Sequence, residues 1–246
     1  MILEVNDLKK TYRSKQESNR ALRGVSFSLK KGEILGIVGE SGSGKTTILK
    51  LISGLEVPDE GEILLNGKKL LAKRTKEDYR AMQMIFQDAV ASFHPRRTVG
   101  ASIRESVRSL LGKQEEFDPK GLAELVGLTP ELMERRPGDL SGGQCQRFAM
   151  ARAIAVHPDV LLCDEITSAL DVSTQAQIIK LLSKICKDTG TSALFVSHDL
   201  AVVSNLCDRV LVMKDGAVVE EGSVKEIVNA PKEAYTQKLI ESVMEI

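Results

Sequence analysis

The amino-acid sequence predicts an α/β fold. A mostly parallel sheet flanked by helices is expected, with a small antiparallel β subdomain beside it and a helical subdomain inserted into it. Three observations lead there. Short apolar runs bounded by glycine or charge alternate with stretches of helical periodicity. The first part of the chain breaks instead into brief β-rich pieces separated by Gly and Lys. From about Val99 to Arg136 the β character disappears and the leucines fall at helical spacing.

Taken in order, residues 2–8, 25–29 and 62–65 read as strands of the antiparallel sheet. Ile34-Leu35-Gly36-Ile37-Val38, between Glu33 and Gly39, reads as a buried strand. Thr46 to Ser53 places Ile48, Leu49 and Ile52 on one helix face. Leu110, Leu111, Leu122, Leu125, Val126 and Leu132 mark the helical stretch. Val160–Cys163 and Ala193–Val196 are two further buried strands. Val210–Met213 and Ala217–Val219 flank Lys214-Asp215-Gly216, whose Asp-Gly predicts a hairpin. The expected organisation is one domain over 1–246: residues 1–88 and 158–225 form the core with its β subdomain, about 89–157 the helical subdomain, and 226–246 a C-terminal helical tail.

Composition narrows the function classes. The 246 residues carry 34 Lys+Arg and 34 Asp+Glu, so no net field draws the protein toward nucleic acid or an anionic membrane. The longest run free of charge and histidine, Thr189–Ser197, is nine residues, far below the roughly 20 a membrane-spanning helix needs. Met1–Asp7 lacks the basic-then-apolar layout of a signal peptide. Cys145, Cys163, Cys186 and Cys207 form no CxxC pair, so neither a zinc site nor a disulfide framework is indicated, and a reduced cytosolic setting is expected. Any membrane association has to come from docking on another protein.

The chemistry begins at Gly39-Glu40-Ser41-Gly42-Ser43-Gly44-Lys45-Thr46, which fits G-x-x-x-x-G-K-[ST] between a predicted strand and a predicted helix. Small residues let successive N–H groups turn inward around phosphates, and the helix start adds positive potential. Lys45 is placed to reach the β- and γ-phosphates and the Thr46 hydroxyl to ligate Mg²⁺. A dinucleotide-binding loop is disfavoured, because Lys45-Thr46 is foreign to it. These features give a P-loop NTPase core. Such a site needs a carboxylate at the end of a neighbouring strand, and Val160–Cys163 runs into Asp164-Glu165. Asp164 is the candidate Mg²⁺ ligand and Glu165 the candidate general base for the attacking water. Adjacent carboxylates also end many buried strands for purely structural reasons; their coupling to the phosphate loop favours the chemical reading.

Leu140-Ser141-Gly142-Gly143-Gln144 decides the class. Together with Lys45, Asp164 and Glu165, it makes the chain resemble the ATP-binding subunit of an ABC transporter, and the helical subdomain its signature subdomain. Independently of any family, Ser141, Gly142 and Gly143 can open a helix through Gln146, Arg147, Ala151 and Arg152, a second anion-binding N-terminus. The resemblance implies a head-to-tail dimer in which the signature segment, Ser141 to Gln144, closes over the ATP of the other subunit. It also implies roles for further residues. Tyr12 resembles the aromatic that stacks on adenine, and Thr47 completes the nucleotide loop. Gln87 resembles the glutamine that senses Mg²⁺ and the attacking water. Asp171, in Ser168-Ala169-Leu170-Asp171, looks like the loop crossing the dimer interface. His198, 33 residues beyond Glu165, looks like the switch histidine at the γ-phosphate.

The segment from Phe86 to Val99, Ile166 in place of a common proline, and Ala234-Tyr235-Thr236-Gln237-Lys238-Leu239 resemble peptide and nickel importers. Ala89 and His94 depart from that pattern, where proline and asparagine are commoner. A lone His94 reads as a loop residue at the permease contact rather than a nickel ligand. The C-terminal region ends at Ile246 with no Cys after Cys207, which by the same resemblance favours a nickel or metallophore substrate over oligopeptides, with short peptides kept as the other cargo. By resemblance the partners are a second ABC ATPase, as a homo- or heterodimer, two transmembrane permeases, and through them an extracytoplasmic substrate-binding protein. The expected place is the cytoplasmic face of the membrane, held peripherally, with ATP and Mg²⁺ as cofactors and no nucleic acid. Two alternatives stay open: an ABC-type component of a phosphonate-breakdown complex, and a soluble ATPase acting on nucleic acid or the ribosome. The latter is disfavoured because only 119 residues separate Lys45 from Asp164, with no sustained heptads.

Overall fold

The computed structural model describes residues 1–13, 18–112 and 117–244. The chain divides into two compact units, Met1–Arg74 with Cys186–Ile246, and Thr75–Ile185.

In the first unit, β1 (Leu3–Arg13) and β2 (Ser18–Leu29) pair antiparallel. Leu3 and Val5 point into the core on the period of two, as do Val25, Phe27 and Leu29. A register shift between Val5 and Leu8, with Asp7 at φ +49°, changes that parity and turns Leu8 inward as well. β3 (Ile34–Val38) is buried at all five positions, as a strand covered on both faces requires. It leads through a glycine-rich loop into α1 (Lys45–Ser53). β4 (Glu60–Leu65) and β5 (Lys68–Lys69) complete a four-stranded sheet in the order β2-β1-β4-β5. The three antiparallel strands expected here are present and longer than the sequence suggested.

The second unit opens with α2 (Lys76–Ala81), started by a reciprocal capping box between Thr75 and Asp78, and β6 (Met82–Ile85). The stretch expected to be helical holds α3 (Val99–Leu110), capped by Thr98, and α4 (Pro119–Leu125), capped by Asp118. Two short 3₁₀ turns, Pro130–Glu134 and Pro137–Asp139, follow; residues 113–116 of that stretch lie outside the described residues. Next come α5 (Gly142–Ile154), β7 (Val160–Asp164) and α6 (Val172–Thr189). β7 is fully buried and runs parallel to β6, Cys163 opposite Ile85.

Back in the first unit, the chain forms β8 (Ser192–Ser197), α7 (Leu200–Leu206), β9 (Arg209–Lys214) and β10 (Ala217–Ser223). β3 lies between β8 and β9, parallel to both. The expected hairpin joins β9 to β10 through Asp215 (φ +48°) and Gly216 (φ +79°), the two positive angles such a turn needs. Two helices follow, α8 (Val224–Asn229) and α9 (Ala234–Met244), with residues 245–246 outside the described residues. Among the described residues no helix is long and apolar enough to cross a membrane.

Candidate active site

In the first unit the site grows from the C-terminal end of β3. Gly39 has φ +153°, and a Cβ there would lie 2.2 Å from the Met213 carbonyl oxygen and 2.8 Å from Ser43 Oγ. At Gly44, φ +103°, a Cβ would meet the Ala21 carbonyl at 2.5 Å. Both positions therefore demand glycine for conformation and for space. Lys45 is only 4% exposed, and its Nζ donates to the Gly39 and Glu40 carbonyls at 2.7 and 2.8 Å. The ammonium is thus held inside the loop that the sequence assigned to phosphate. The hairpin tip braces the same loop, Gly216 N–H donating to Ser43 C=O at 3.1 Å.

Thr46 and Thr47 open α1, where backbone donors and the helix dipole favour an anion. Tyr12 donates its hydroxyl to Glu56 and stays 37% exposed, with Lys10 Nζ 5.8 Å from its ring. Burial and then the Glu56 carboxylate raise the phenol's pKa, opposed by a hydrogen bond from Thr47. Tyr12 and Thr47 are therefore neighbours. His198 follows Ser197, which pairs with Val38, so it emerges at the same end of the sheet as the phosphate loop. Asp199 beside it caps α7, accepting from Ala201 and Val202 N–H.

The second unit carries the carboxylates. Asp164 ends β7 and is 8% exposed. Glu165 follows at φ +46°, a left-handed conformation that costs a non-glycine residue of order 1 kcal/mol and recurs at functional sites. Its turn is closed by Ser168, whose N–H and hydroxyl both donate to the Glu165 carbonyl, at 3.1 and 3.0 Å. Gln87, two residues past the end of β6, donates its Nε2–H to Ser168 Oγ at 3.0 Å. Gln87 and the Glu165 turn, 78 residues apart in sequence, are thus linked through one hydroxyl. Sequence reasoning quoted Ser168 only as part of a loop; its bridging role has no local signature.

Ser141 caps α5, accepting from Gln144 N–H at 3.2 Å, while Gln144 Oε1 accepts from Ser141 N–H at 2.9 Å. Both side chains are committed to this capping box, so Gly142 and Gly143 supply the open N–H groups of the helix start. A Cβ on Gly143 would press on Thr174 Cγ2 at 2.6 Å, fixing how closely α5 approaches the start of α6. Asp171 caps α6: it accepts from Ser173 Oγ (2.6 Å), Thr174 N–H (3.0 Å) and Thr174 Oγ1 (2.7 Å). These bonds, that from Ser173 first, hold its carboxyl well below the usual range. Asp171 thus caps α6 within the segment that the sequence likens to a loop crossing the dimer interface.

A further clamp was not foreseen. Arg152 on α5 reaches back to Ser92, donating to its carbonyl at 2.6 Å and its hydroxyl at 3.0 Å, and lies 4.4 Å from the Phe93 ring centroid. It fixes the segment that carries Ala89 and His94. Next to it a cavity of about 380 Å³ is lined by Gln87, Val90, Gly142, Gln146, Ile166 and Leu170 among others. Among the described residues no group of three or more His, Cys, Asp or Glu could hold a metal.

Comparison with known proteins matches residues 22–168 to the ABC transporter family. The oligopeptide transport ATP-binding protein OppF of Haemophilus influenzae is 43% identical over 99% of this chain and 78% of its own length. OppF of Escherichia coli is 42% identical over 98% of this chain and 74% of its own. A putative peptide import ATP-binding protein of Brucella ovis is 40% identical over 98% and 78%. Among solved structures, an ATP-binding cassette in a dimeric post-hydrolysis state with ADP and Pi matches with a TM-score of 0.79 and 29% identity, covering 90% of this chain and 98% of that one. cbiO1 of Clostridium perfringens, part of the ABC transporter complex cbiONQ, matches with a TM-score of 0.79 and 28% identity over 100% and 99%.

Proposed function

This chain belongs to the ABC transporter family, and from that premise we propose that it hydrolyses ATP to power the import of peptides through partner permeases. The observation that carries the ATP chemistry is the loop of Gly39 to Thr46, in which two glycines are sterically obligatory and Lys45 is buried among loop carbonyls. Support for a peptide cargo comes from the names of relatives at 38–43% identity. The relatives reported above are named for peptides and not for nickel or a metal chelate, so peptide is the reading adopted.

The roles follow from the residue chemistry. The N–H groups of Gly39 to Thr47 and the Lys45 ammonium hold the ATP phosphates, and Tyr12 lies against the base. Glu165 takes the proton of the attacking water, Gln87 orients that water, and His198 contacts the γ-phosphate. Thr46, Gln87 and Asp164 offer hard oxygen donors that fit Mg²⁺, which neutralises developing phosphate charge when bound. Ser141, Gly142, Gly143, Gln144 and Asp171 serve the ATP of a second ABC ATPase in a dimer, the segments around Gly142 and Asp171 meeting it across the interface. Closure of that dimer on ATP is the step that moves the two permeases; binding energy does the mechanical part. A binding protein outside the cell delivers the substrate, and the chain acts from the cytoplasmic face.

The test uses the assembled transporter in vesicles. Glu165→Gln is expected to keep ATP binding while lowering turnover roughly 10²–10⁴-fold, the usual worth of a general base. Lys45→Ala is expected to weaken binding of a nonhydrolysable ATP analogue. Uptake of labelled di- and oligopeptides should require ATP and stop in Glu165→Gln. Turnover close to wild type in that variant removes Glu165 from its role, and ATP-driven uptake of nickel without peptide overturns the cargo.

A further inference from the structure

The peptide joining Gly39 to Glu40 is held from both sides. Its carbonyl, on Gly39, accepts from Lys45 Nζ at 2.7 Å, and its N–H, on Glu40, donates to the hydroxyl of Tyr235 at 3.1 Å. Tyr235 lies 195 residues away in sequence, on the first turn of α9. The peptide can rotate about its flanking single bonds with little hindrance on the Gly39 side, because glycine has no Cβ. Turning it would swing the carbonyl off Lys45 and the N–H off Tyr235 together.

Tyr235 is itself fixed. Lys214, at the end of β9, sits 4.9 Å from its ring centroid. The chain entering α9 is anchored by Glu220, 9% exposed, whose two carboxylate oxygens accept from Lys232 N–H (2.8 Å) and Glu233 N–H (3.2 Å). Thr236, the next residue on α9, is fully buried. Burial raises the phenol's pKa, opposed by the bond from Glu40 N–H and aided by the carboxylates of Glu40 and Asp215, so the hydroxyl stays neutral at physiological pH.

We infer that Tyr235 is a positioning residue of the phosphate loop: its hydroxyl sets the Gly39–Glu40 peptide so that the Gly39 carbonyl holds the Lys45 ammonium in place. The C-terminal helix then belongs to the nucleotide site, although it contributes no group to phosphate. This inference rests on the reading that the loop binds ATP.

Tyr235→Phe in the full chain keeps the ring, and with it the packing and the Lys214 contact, and removes only the hydroxyl. The expected result is about 3- to 10-fold weaker binding of a nonhydrolysable ATP analogue, the net worth of one hydrogen bond. Binding is measured well below the unfolding temperature of both proteins, so a merely structural loss shows in Tm and leaves the affinity alone. In the Lys45→Ala background the same substitution should weaken binding no further, because Tyr235 acts through Lys45. Unchanged affinity in Tyr235→Phe, or effects of the two substitutions that simply add, overturns the inference. An ATP analogue that fails to bind the wild type, or binds Lys45→Ala equally well, overturns instead the nucleotide reading on which it rests.

Discussion

Replacing Arg152 tests how firmly the segment after Gln87 is tied to α5. The guanidinium donates to the Ser92 carbonyl (2.6 Å) and hydroxyl (3.0 Å) and stacks 4.4 Å from the Phe93 ring, which is 4% exposed. Hydrogen bonds from a charged donor are worth about 1.5–3 kcal/mol each, and a largely desolvated cation–π contact about 1–2. Burying the guanidinium costs part of this, enough to lower the pKa of a group that nevertheless remains charged. The net loss in Arg152→Met is then about 3 kcal/mol, lying below the plain sum because half-buried Ser92 regains water. Arg152→Lys keeps the charge but neither the fork nor the flat stacking face, and should lose about half as much. Urea unfolding followed by circular dichroism reads both. A double-mutant cycle with Phe93→Leu isolates the stacking contribution, expected at about 1 kcal/mol. A loss in Arg152→Met below about 0.5 kcal/mol, the range of ordinary surface substitutions, would refute the clamp.

Three further outcomes follow from the geometry. Ser141→Ala removes a capping box and should cost about 1 kcal/mol of stability, read by thermal unfolding, with Ser141→Asp recovering most of it. Asp171 has its folded-state pKa lowered, so its contribution is fully present above its unfolded value near 3.8 and fades as pH falls toward the folded one. Asp171→Asn should therefore flatten the loss of stability between about pH 4 and 2, and an unchanged acid-unfolding profile would contradict the capping bonds. Burial pushes the Cys186 thiol up to about 12 and Cys207 still higher. Neither should react with iodoacetamide at pH 8 in the native protein, and both should react in guanidinium; native labelling at either position contradicts their burial.

The phosphate loop was legible because its demands are local. A glycine that must adopt positive φ against a backbone oxygen admits no other residue, so Gly39 and Gly44 appear in the sequence as a spacing. The Asp215-Gly216 turn and the Ser141–Gln144 cap are readable for the same reason. α6 was also readable: Ile178, Leu182 and Ile185 fall four and three apart and are all buried. β6 was not readable, since its four residues include Gln83 and only pairing with β7 makes them a strand. Gln87 to Ser168, Arg152 to Ser92 and Glu40 to Tyr235 join residues 81, 60 and 195 apart. Nothing in a local pattern encodes such closures. The left-handed backbone of Glu165 belongs with them, because no residue preference announces it.

The placement of β3 has a consequence for biosynthesis. Both of its neighbours come late in the chain: β8 begins at Ser192, 154 residues after Val38 ends β3, and β9 begins at Arg209. At translation rates of about 5–20 residues per second, the most apolar strand of the first unit waits roughly 8–30 s with neither edge paired. During that interval a five-residue strand of Ile, Leu, Gly, Ile and Val is exposed to other nascent chains. The loop of Gly39 to Thr46 hangs from the end of this strand, so its native anchorage on the ribosome waits until the chain has emerged through β9. Truncated products ending before residue 192 are accordingly expected to be substrates for chaperones and proteases rather than binders of nucleotide.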